Sequence, residues 1–193
     1  MAKEKIIDTW KAKTWYTVLA PQMFESKEIG QIPATQDSHL INRIVKVSLA
    51  ELTGDISQSY VNLHFRIHEV KGKTAYTKLI GHEISTGYLR TLVRRRRDVI
   101  NEVVDVTSKD GVKLRIKLSI FTARRVSSPV KTALRNSARD EVSLRAKEMD
   151  FQQIAQEIIF GKFSAVLFNR LKKICPVKRI EVRKTEIFEK FTS

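Results

Sequence analysis

Cysteine is almost absent from this sequence, because Cys175 is the only one among 193 residues. A single cysteine excludes a disulfide framework within the chain and a zinc site built from several cysteines, and it fits a reducing, intracellular setting. The seven glycines form no glycine-rich phosphate loop. No apolar run approaches the ~20 residues of a transmembrane helix, and the first residues lack the apolar stretch of a secretory signal. We therefore expect a cytoplasmic protein with no membrane partner.

Acidic residues are in deficit as well. The chain carries 36 Lys and Arg against 21 Asp and Glu, which gives a net charge of +15. Residues 1–89 hold 11 basic and 9 acidic side chains, whereas residues 90–193 hold 25 and 12. This balance points to a polyanionic partner, above all nucleic acid. A generally soluble basic surface is the alternative, but four consecutive arginines are unusual for solubility alone.

The pattern of apolar residues predicts a mixed fold. Residues 59–70 alternate between apolar and polar side chains, Lys71-Gly72-Lys73 makes a turn, and residues 74–84 return, which predicts a β-hairpin. Asp110-Gly111 is the turn signal of a second hairpin. Consecutive hairpins favour an antiparallel sheet or a small barrel.

The other predicted elements follow from strand alternation, helix-start signals and breaks in the pattern. They are strands at 14–20, 43–49, 98–106, 112–123 and 176–187, helices at 86–97, 130–148, 151–160 and 163–175, and an irregular stretch at 24–39. We therefore predict an α+β fold with an antiparallel, barrel-like β body and with helices concentrated towards the C-terminus. A basic tail (1–13) precedes a single RNA-binding domain (14–188), which is β-rich over 14–126, helical over 127–175 and closed by a strand at 176–187, and a second tail (189–193) follows.

Two groups of cations on the β part are candidate RNA contacts. The run Arg94–Arg97 suits phosphate groups, which offer repeated bidentate acceptors, although it could instead pair with Asp98, Glu102 or Asp105. Lys113, Arg115 and Lys117 share the face of strand 112–123 that lies opposite five aliphatic side chains. We expect this face to contact RNA, and the alternative is a solvated outer face.

A third group lies on the helix 130–148. Lys131, Arg135 and Arg139 stand four residues apart and form one ridge, where like charges repel. Asp140 and Glu141 are too few to offset this repulsion, so we expect RNA or a neighbouring protein along the ridge. An exposed helix that tolerates mild repulsion is the alternative.

Aromatic residues alternate with lysines near the N-terminus, as contacts with unpaired bases and phosphates require. Because neighbours on a strand face opposite ways, we expect one of Trp15 and Tyr16 in the core and Trp10 in a contact outside the fold. The candidate RNA-binding residues of the whole chain are Lys3, Lys5, Trp10, Lys11, Lys13, Arg43, Arg94, Arg95, Arg96, Arg97, Lys113, Arg115, Lys117, Arg124, Arg125, Lys131, Arg135 and Arg139.

Signs of catalysis are weak. His64 and His68 share a strand face, but two ligands are too few for a structural zinc site. Cys175 next to Pro176 is better explained as a packed residue than as a nucleophile. The carboxylates show no paired spacing. We predict no enzyme activity, no metal, no cofactor and no small-molecule substrate, although carboxylates scattered in sequence could still assemble a nuclease site.

Several segments resemble one known family. The segments WKAKTWYTVLAPQMF (10–24), NRIVKVSLAEL (42–52), VVDVTSKDGVKLRIKLSIFTARR (103–125) and PVKRIEVRKTEIF (176–188) run in the same order as in that family. The chain is similar to the small-subunit ribosomal protein shared by archaea and eukaryotes, whose eukaryotic member is called S-three-A, and its length is similar to that of archaeal members. Asn42 stands where the family signature has a small residue, and Arg94–Arg97 lies outside the matching motifs.

The resemblance implies a β-barrel-like body with C-terminal helices on the platform of the small ribosomal subunit. It also implies contacts with ribosomal RNA near its 3′ end, close to the messenger exit, and with neighbouring ribosomal proteins. We therefore expect a structural, RNA-binding ribosomal protein. The alternatives are a free RNA-processing enzyme and a stand-alone RNA-binding translation regulator.

Overall fold

The computed structural model of the chain describes residue 10 and residues 13–188. Within this part the chain forms eight strands and five α-helices. The strands are β1 (Thr14–Leu19), β2 (Glu28–Ala34), β3 (Ile44–Ser48), β4 (Val61–Lys71), β5 (Thr74–Ile84), β6 (Val99–Thr107), β7 (Lys113–Thr122) and β8 (Val177–Ile187). The helices are α1 (Leu49–Thr53), α2 (Thr86–Leu92), α3 (Ser128–Glu148), α4 (Phe151–Ile159) and α5 (Lys162–Leu171).

Strand β5 is the centre of a branched sheet. One edge of β5 pairs antiparallel with β4, which pairs in turn with β3. The other edge is shared: Thr74–Tyr76 pairs parallel with β1, and Gly81–Glu83 pairs antiparallel with β8. Strand β2 extends the sheet beyond β1, and β7 and β6 extend it beyond β8. Both predicted hairpins, β4–β5 and β6–β7, are confirmed.

The three C-terminal helices cover one face of the β6–β7–β8 half. Alternate residues of β7 are buried under them, as the alternation in the sequence predicted. The middle of the apolar face of α3 is fully buried, with Leu134, Ala138 and Val142 at 0% exposure. A second cluster joins the inner face of β3–β5 to α4, and a third lies between β1, β2 and the start of β5. The mixed α+β class and the C-terminal helices are thereby confirmed.

The expected barrel-like body is wrong, because the sheet does not close. Among the residues described here, β2, β3 and β6 each pair with one strand only. The physical reason lies in β5 and in the helices: β5 divides one edge between two partners, so the sheet branches, and α3–α5 bury the apolar face that a barrel would turn inward.

Two elements differ locally from those predicted, and Asn42 has an unusual backbone conformation. Part of the stretch 24–39, expected to be irregular, forms β2, which pairs with β1 through the register Thr14↔Ala34 and onwards. Helix α2 ends at Leu92 instead of continuing to 97. Asn42 adopts φ 68°, a left-handed conformation that asparagine tolerates better than most residues.

None of the described helices combines the length and the hydrophobicity of a membrane span.

Candidate nucleic-acid interface

The four consecutive arginines lie on an exposed turn between α2 and β6. The chain leaves the helix at Val93, which is extended, and Arg96 adopts φ 61°. All four side chains are exposed. In the described part of the chain, none of the four takes part in an ion pair or a side-chain hydrogen bond. Their charge is therefore presented to solvent.

The acids that could have paired with this run are held by other cations. Asp98 lies 3.2 Å from Nζ of Lys131, and Asp105 lies 2.7 Å from Nε of Arg115. Glu102, which is buried, accepts two hydrogen bonds from the Arg139 guanidinium at 3.1 and 2.5 Å. The alternative of internal pairing, left open by the sequence, is thus not what the fold adopts.

Asp98 also fixes a loop next to the arginine run. Its carboxylate accepts the N–H of Val126 at 2.9 Å, and this bond, followed by the Lys131 ammonium, lowers the pKa of Asp98. Its backbone oxygen accepts the N–H of Thr122 at 3.0 Å. Because Arg97 precedes Asp98, these bonds bring Arg124 and Arg125 to the same end of the sheet as the run.

We call this surface the basic corner, comprising Arg94–Arg97, Arg124, Arg125, Lys172, Lys173 and Lys178. The last three, all exposed, were not among the candidate RNA-binding residues. They join the corner because Ala123 donates its N–H to the oxygen of Pro176 at 2.9 Å and Thr122 pairs with Val177. A sequence signal for these three lysines exists, because a pair of basic residues lies on each side of Cys175-Pro176. An open depression lined by Arg124, Arg125 and Pro176 lies within the corner.

The ridge on α3 faces its own sheet. Besides the pairs of Lys131 and Arg139 described above, Arg135 lies 3.9 Å from Glu102. The expectation that only an outside partner could offset the repulsion of this ridge is therefore wrong. The compensating acids come from β6, which is remote in sequence but adjacent in the fold.

The basic face of β7 is partly neutralised. Arg115 pairs with Asp105, and Nζ of Lys117 lies 2.9 Å from Glu186 on β8. Hydrogen bonds from Lys184 first, and then Lys117, hold the pKa of Glu186 below its usual value. Lys113 is exposed. This face has fewer uncompensated charges than the alternation of β7 alone suggested.

Only some of the candidate RNA-binding residues near the N-terminus lie in the part of the chain that the structure describes. Lys3, Lys5 and Lys11 lie outside the described residues. Trp10 is exposed, with Nζ of Lys13 at 4.2 Å from its ring centroid. The expectation for the neighbouring pair is confirmed: Tyr16 is 6% exposed and donates to Asp37 at 2.6 Å, whereas Trp15 is 55% exposed.

Arg43 lies apart from the basic corner. It precedes β3, and its backbone oxygen accepts the N–H of Ile67 at 3.0 Å. Ile67 pairs with Thr77, near the start of β5, whereas the chain leads to the arginine run from the end of β5.

In the described residues, no cluster of three or more His, Cys, Asp or Glu is placed to hold a metal ion. Burial raises the pKa of the Cys175 thiol, which disfavours the reactive thiolate. His82 is buried, with Nε2 at 2.9 Å from the oxygen of Val182 and Nδ1 at 2.8 Å from Oγ1 of Thr185. Burial lowers its pKa to about 4, so it acts as a neutral link between β5 and β8.

Comparisons with known proteins agree with one another. Residues 1–190 match the model of the ribosomal S3Ae family. The chain is 40% identical over 188 residues to small ribosomal subunit protein eS1 of Sulfurisphaera tokodaii, covering 97% of each chain. It is 39% identical over 184 residues to the proteins of the same name from Saccharolobus islandicus strain L.S.2.15 and Saccharolobus solfataricus, covering 95% of this chain and 88% of each relative.

Proposed function

Because the chain belongs to the ribosomal S3Ae family, we propose that it is a structural constituent of the small ribosomal subunit that binds ribosomal RNA. Its site is the platform, near the 3′ end of the small-subunit RNA and the messenger exit, in the cytoplasm. Its partners are that RNA and neighbouring ribosomal proteins, with messenger RNA nearby. Residues 14–188 act as one RNA-binding domain.

The observation that carries the proposal is the contrast between the arginine run and the other cations. Lys131, Arg139 and Arg115 have acidic partners within the fold, whereas Arg94–Arg97 is exposed and has none among the described residues. Arginines held next to one another on a turn raise the electrostatic energy of the free protein. A phosphate backbone lowers that energy by supplying several acceptors at once.

The mechanism is electrostatic. Guanidinium groups of the basic corner neutralise phosphates and release counterions. Recognition depends mainly on RNA shape, because side chains cannot read the deep major groove of an A-form helix. The remaining candidates, Trp10, Lys13, Arg43 and Lys113, add contacts outside this corner.

The rival functions are a free RNA-processing enzyme and a stand-alone translation regulator. Family membership favours the structural role over both. Sedimentation of native lysates at moderate salt distinguishes them: a structural constituent travels with the small subunit at equal stoichiometry. A free pool that turns over RNA would support the enzyme, and a substoichiometric pool bound to one messenger would support the regulator.

The arginine run is tested by replacing Arg94, Arg95, Arg96 and Arg97 with glutamine. Because these side chains have no partner in the described fold, we expect the thermal midpoint to fall by a few °C at most, since each surface change of this kind stays within about 0.5 kcal/mol. Affinity for platform RNA should fall at least ten-fold.

The matched control replaces Lys131, Arg135 and Arg139 with glutamine. This variant removes three charges that the fold itself uses, so it should lose stability and keep most of its RNA affinity. The reverse pattern, with stability lost in the first variant and affinity lost in the second, would contradict the assignment of the corner.

A further inference from the structure

A second concave surface lies on the sheet face opposite the helices. It is an open cleft of about 360 Å³, and its lining includes Ile44, His64, Gly81, Glu186 and Phe188. The cleft forms where β5 pairs with β4 on one side and with β8 on the other, through the register His64↔Gly81↔Glu186. Gly81 has no side chain, and the backbone of Thr185 on β8 lies where a Cβ would stand, so the two strands approach each other closely at the base of the cleft.

One wall of the cleft is aromatic. Phe188 is 50% exposed, and its N–H donates to the oxygen of Lys113 at 3.0 Å, which fixes its backbone against β7. The guanidinium of Arg115 lies 4.8 Å from the ring centroid. Ile44 is 49% exposed and lines the same cleft. These side chains offer a planar and an aliphatic surface of the kind that stacks on a base.

The cleft also contains a polar atom that lacks a partner. Nε2 of His64 is buried and makes no hydrogen bond, and a carboxylate oxygen of Glu83 lies 3.6 Å from it. Burial, followed by the charge of Lys46, lowers the pKa of His64. The ring is therefore neutral at pH 7 and can donate or accept one hydrogen bond at this nitrogen, depending on its tautomer. A buried polar atom without a partner is costly and calls for a ligand or water.

Cations outnumber acids around the opening. Lys46 lies opposite His64 on β3, Arg66 follows two residues after His64, and Lys184 lines the β8 side. Lys184 is paired with Glu186 at 2.8 Å, so the lining is not simply positive. Lys46 is exposed on the β3 side, where it can meet a phosphate.

We propose that this cleft binds one unpaired RNA nucleotide, with the base against Phe188 and Ile44, its edge bonded to Nε2 of His64 and its phosphate near Lys46. Such a nucleotide must be unstacked, because a base within a duplex cannot enter the cleft. An uncharged peptide would satisfy the apolar wall but would give no role to the exposed Lys46 beside it. This inference rests on the proposed RNA-binding function.

The test uses the full-length chain and two labelled probes, a single-stranded RNA of ten nucleotides and a hairpin RNA with a stem of ten base pairs. Phe188→Ala is compared with Phe160→Ala, which removes an equally exposed ring, at 51%, from the α4–α5 turn on the helical side. We expect Phe188→Ala to weaken single-strand binding about five-fold or more, as loss of a stacking contact does, with hairpin binding unchanged. Phe160→Ala should change neither. His64→Ala should also weaken single-strand binding selectively.

Three results would overturn the proposal. If Phe188→Ala and Phe160→Ala bind the single strand alike, the cleft holds no nucleotide. If Phe188→Ala impairs incorporation into small subunits but not oligonucleotide binding, the occupant is a neighbouring protein. If the wild-type chain binds neither RNA, the proposed function fails together with this inference, whereas binding to both RNAs without a cleft effect leaves the function intact.

Discussion

Cations on this chain differ mainly in the partners that the fold gives them. Arg139 donates two hydrogen bonds to the buried carboxylate of Glu102, and removing Arg139 would leave that carboxylate without them. Arg95 and its neighbours have no such bond among the described residues. A phosphate that binds Arg139 must compete with Glu102, whereas one that binds the run competes only with water and counterions. Availability for RNA therefore follows from the partners of each residue and not from charge alone.

We predict that acid weakens the fold through His82. Its pKa is about 4 in the folded chain against an ordinary value of 6.5. Below pH 6.5 His82 is protonated in the unfolded chain but stays neutral in the folded chain. The folded chain is therefore most stable above pH 6.5, and its free energy of unfolding falls as the pH approaches 4. At about 1.4 kcal/mol per pKa unit, the loss is ~3 kcal/mol. His64 adds a shift in the same direction. Urea unfolding between pH 7.5 and 4.5 measures this slope.

The matched variants are His82→Gln, which keeps a donor and an acceptor but cannot titrate, and His68→Gln, which changes an exposed ring. The first should flatten the pH slope, and the second should keep it. An unchanged slope in His82→Gln would show that the acid sensitivity has another source.

Strand β5 connects the two halves of the sheet through a short junction. Only three residue pairs link it to β8: Gly81↔Glu186, His82↔Thr185 and Glu83↔Lys184. The hydroxyl of Thr185 also forms a hydrogen bond with Nδ1 of His82, with 2.8 Å between the two atoms, and the tautomer of the ring decides which of them donates. The side chains that flank this junction line the cleft on one face, so the same contacts hold the halves together and shape the proposed nucleotide site.

We predict that Gly81→Ala disrupts this junction. A Cβ at position 81 would lie 2.1 Å from the backbone oxygen of Thr185, so β8 must move away from β5. The expected loss is about 1–3 kcal/mol or more. The control is Gly87→Ala in α2, where the added atom meets only Oγ of Ser85 at 3.6 Å, and where alanine favours the helix by ~0.5–1 kcal/mol. Thermal unfolding compares the two, and equal midpoints would contradict the crowding argument.

Local patterns predicted the elements, and long-range pairing decided how they assemble. Alternation in β4 and β7 and the turns at Gly72 and Gly111 identified the two hairpins, because these signals are contained within a few residues. The separation of Trp15 from Tyr16 followed in the same way. By contrast, β2 gains its order from pairing with β1, and Glu102 meets Arg139 across 37 residues. Nor does any local signal show that β5 shares one edge between β1 and β8, which is why a barrel was expected.

The two proposed RNA contacts occupy different parts of the molecule and use different chemistry. The basic corner gathers cations from three segments at one end of β6–β7–β8. The cleft lies on the outer face of the sheet and combines Phe188, a histidine nitrogen without a partner and a few cations. The corner suits the phosphates of any folded RNA, and the cleft suits a nucleotide that leaves the stack. Together they would seat the protein where a helix adjoins an unpaired segment.

We predict that the salt dependence of RNA binding separates these contributions. Each neutralised phosphate adds about −0.7 to −0.9 to the slope of log K against log salt. Replacing Arg94–Arg97 with glutamine should therefore make the slope shallower by roughly 3 if all four arginines contact phosphate. Phe188→Ala removes no charge, so it should lower single-strand affinity at every salt concentration and leave the slope unchanged. Titrations at several salt concentrations measure both effects. A line for the arginine variant that runs parallel to wild type would show that the run does not bind phosphate, even if its affinity is lower.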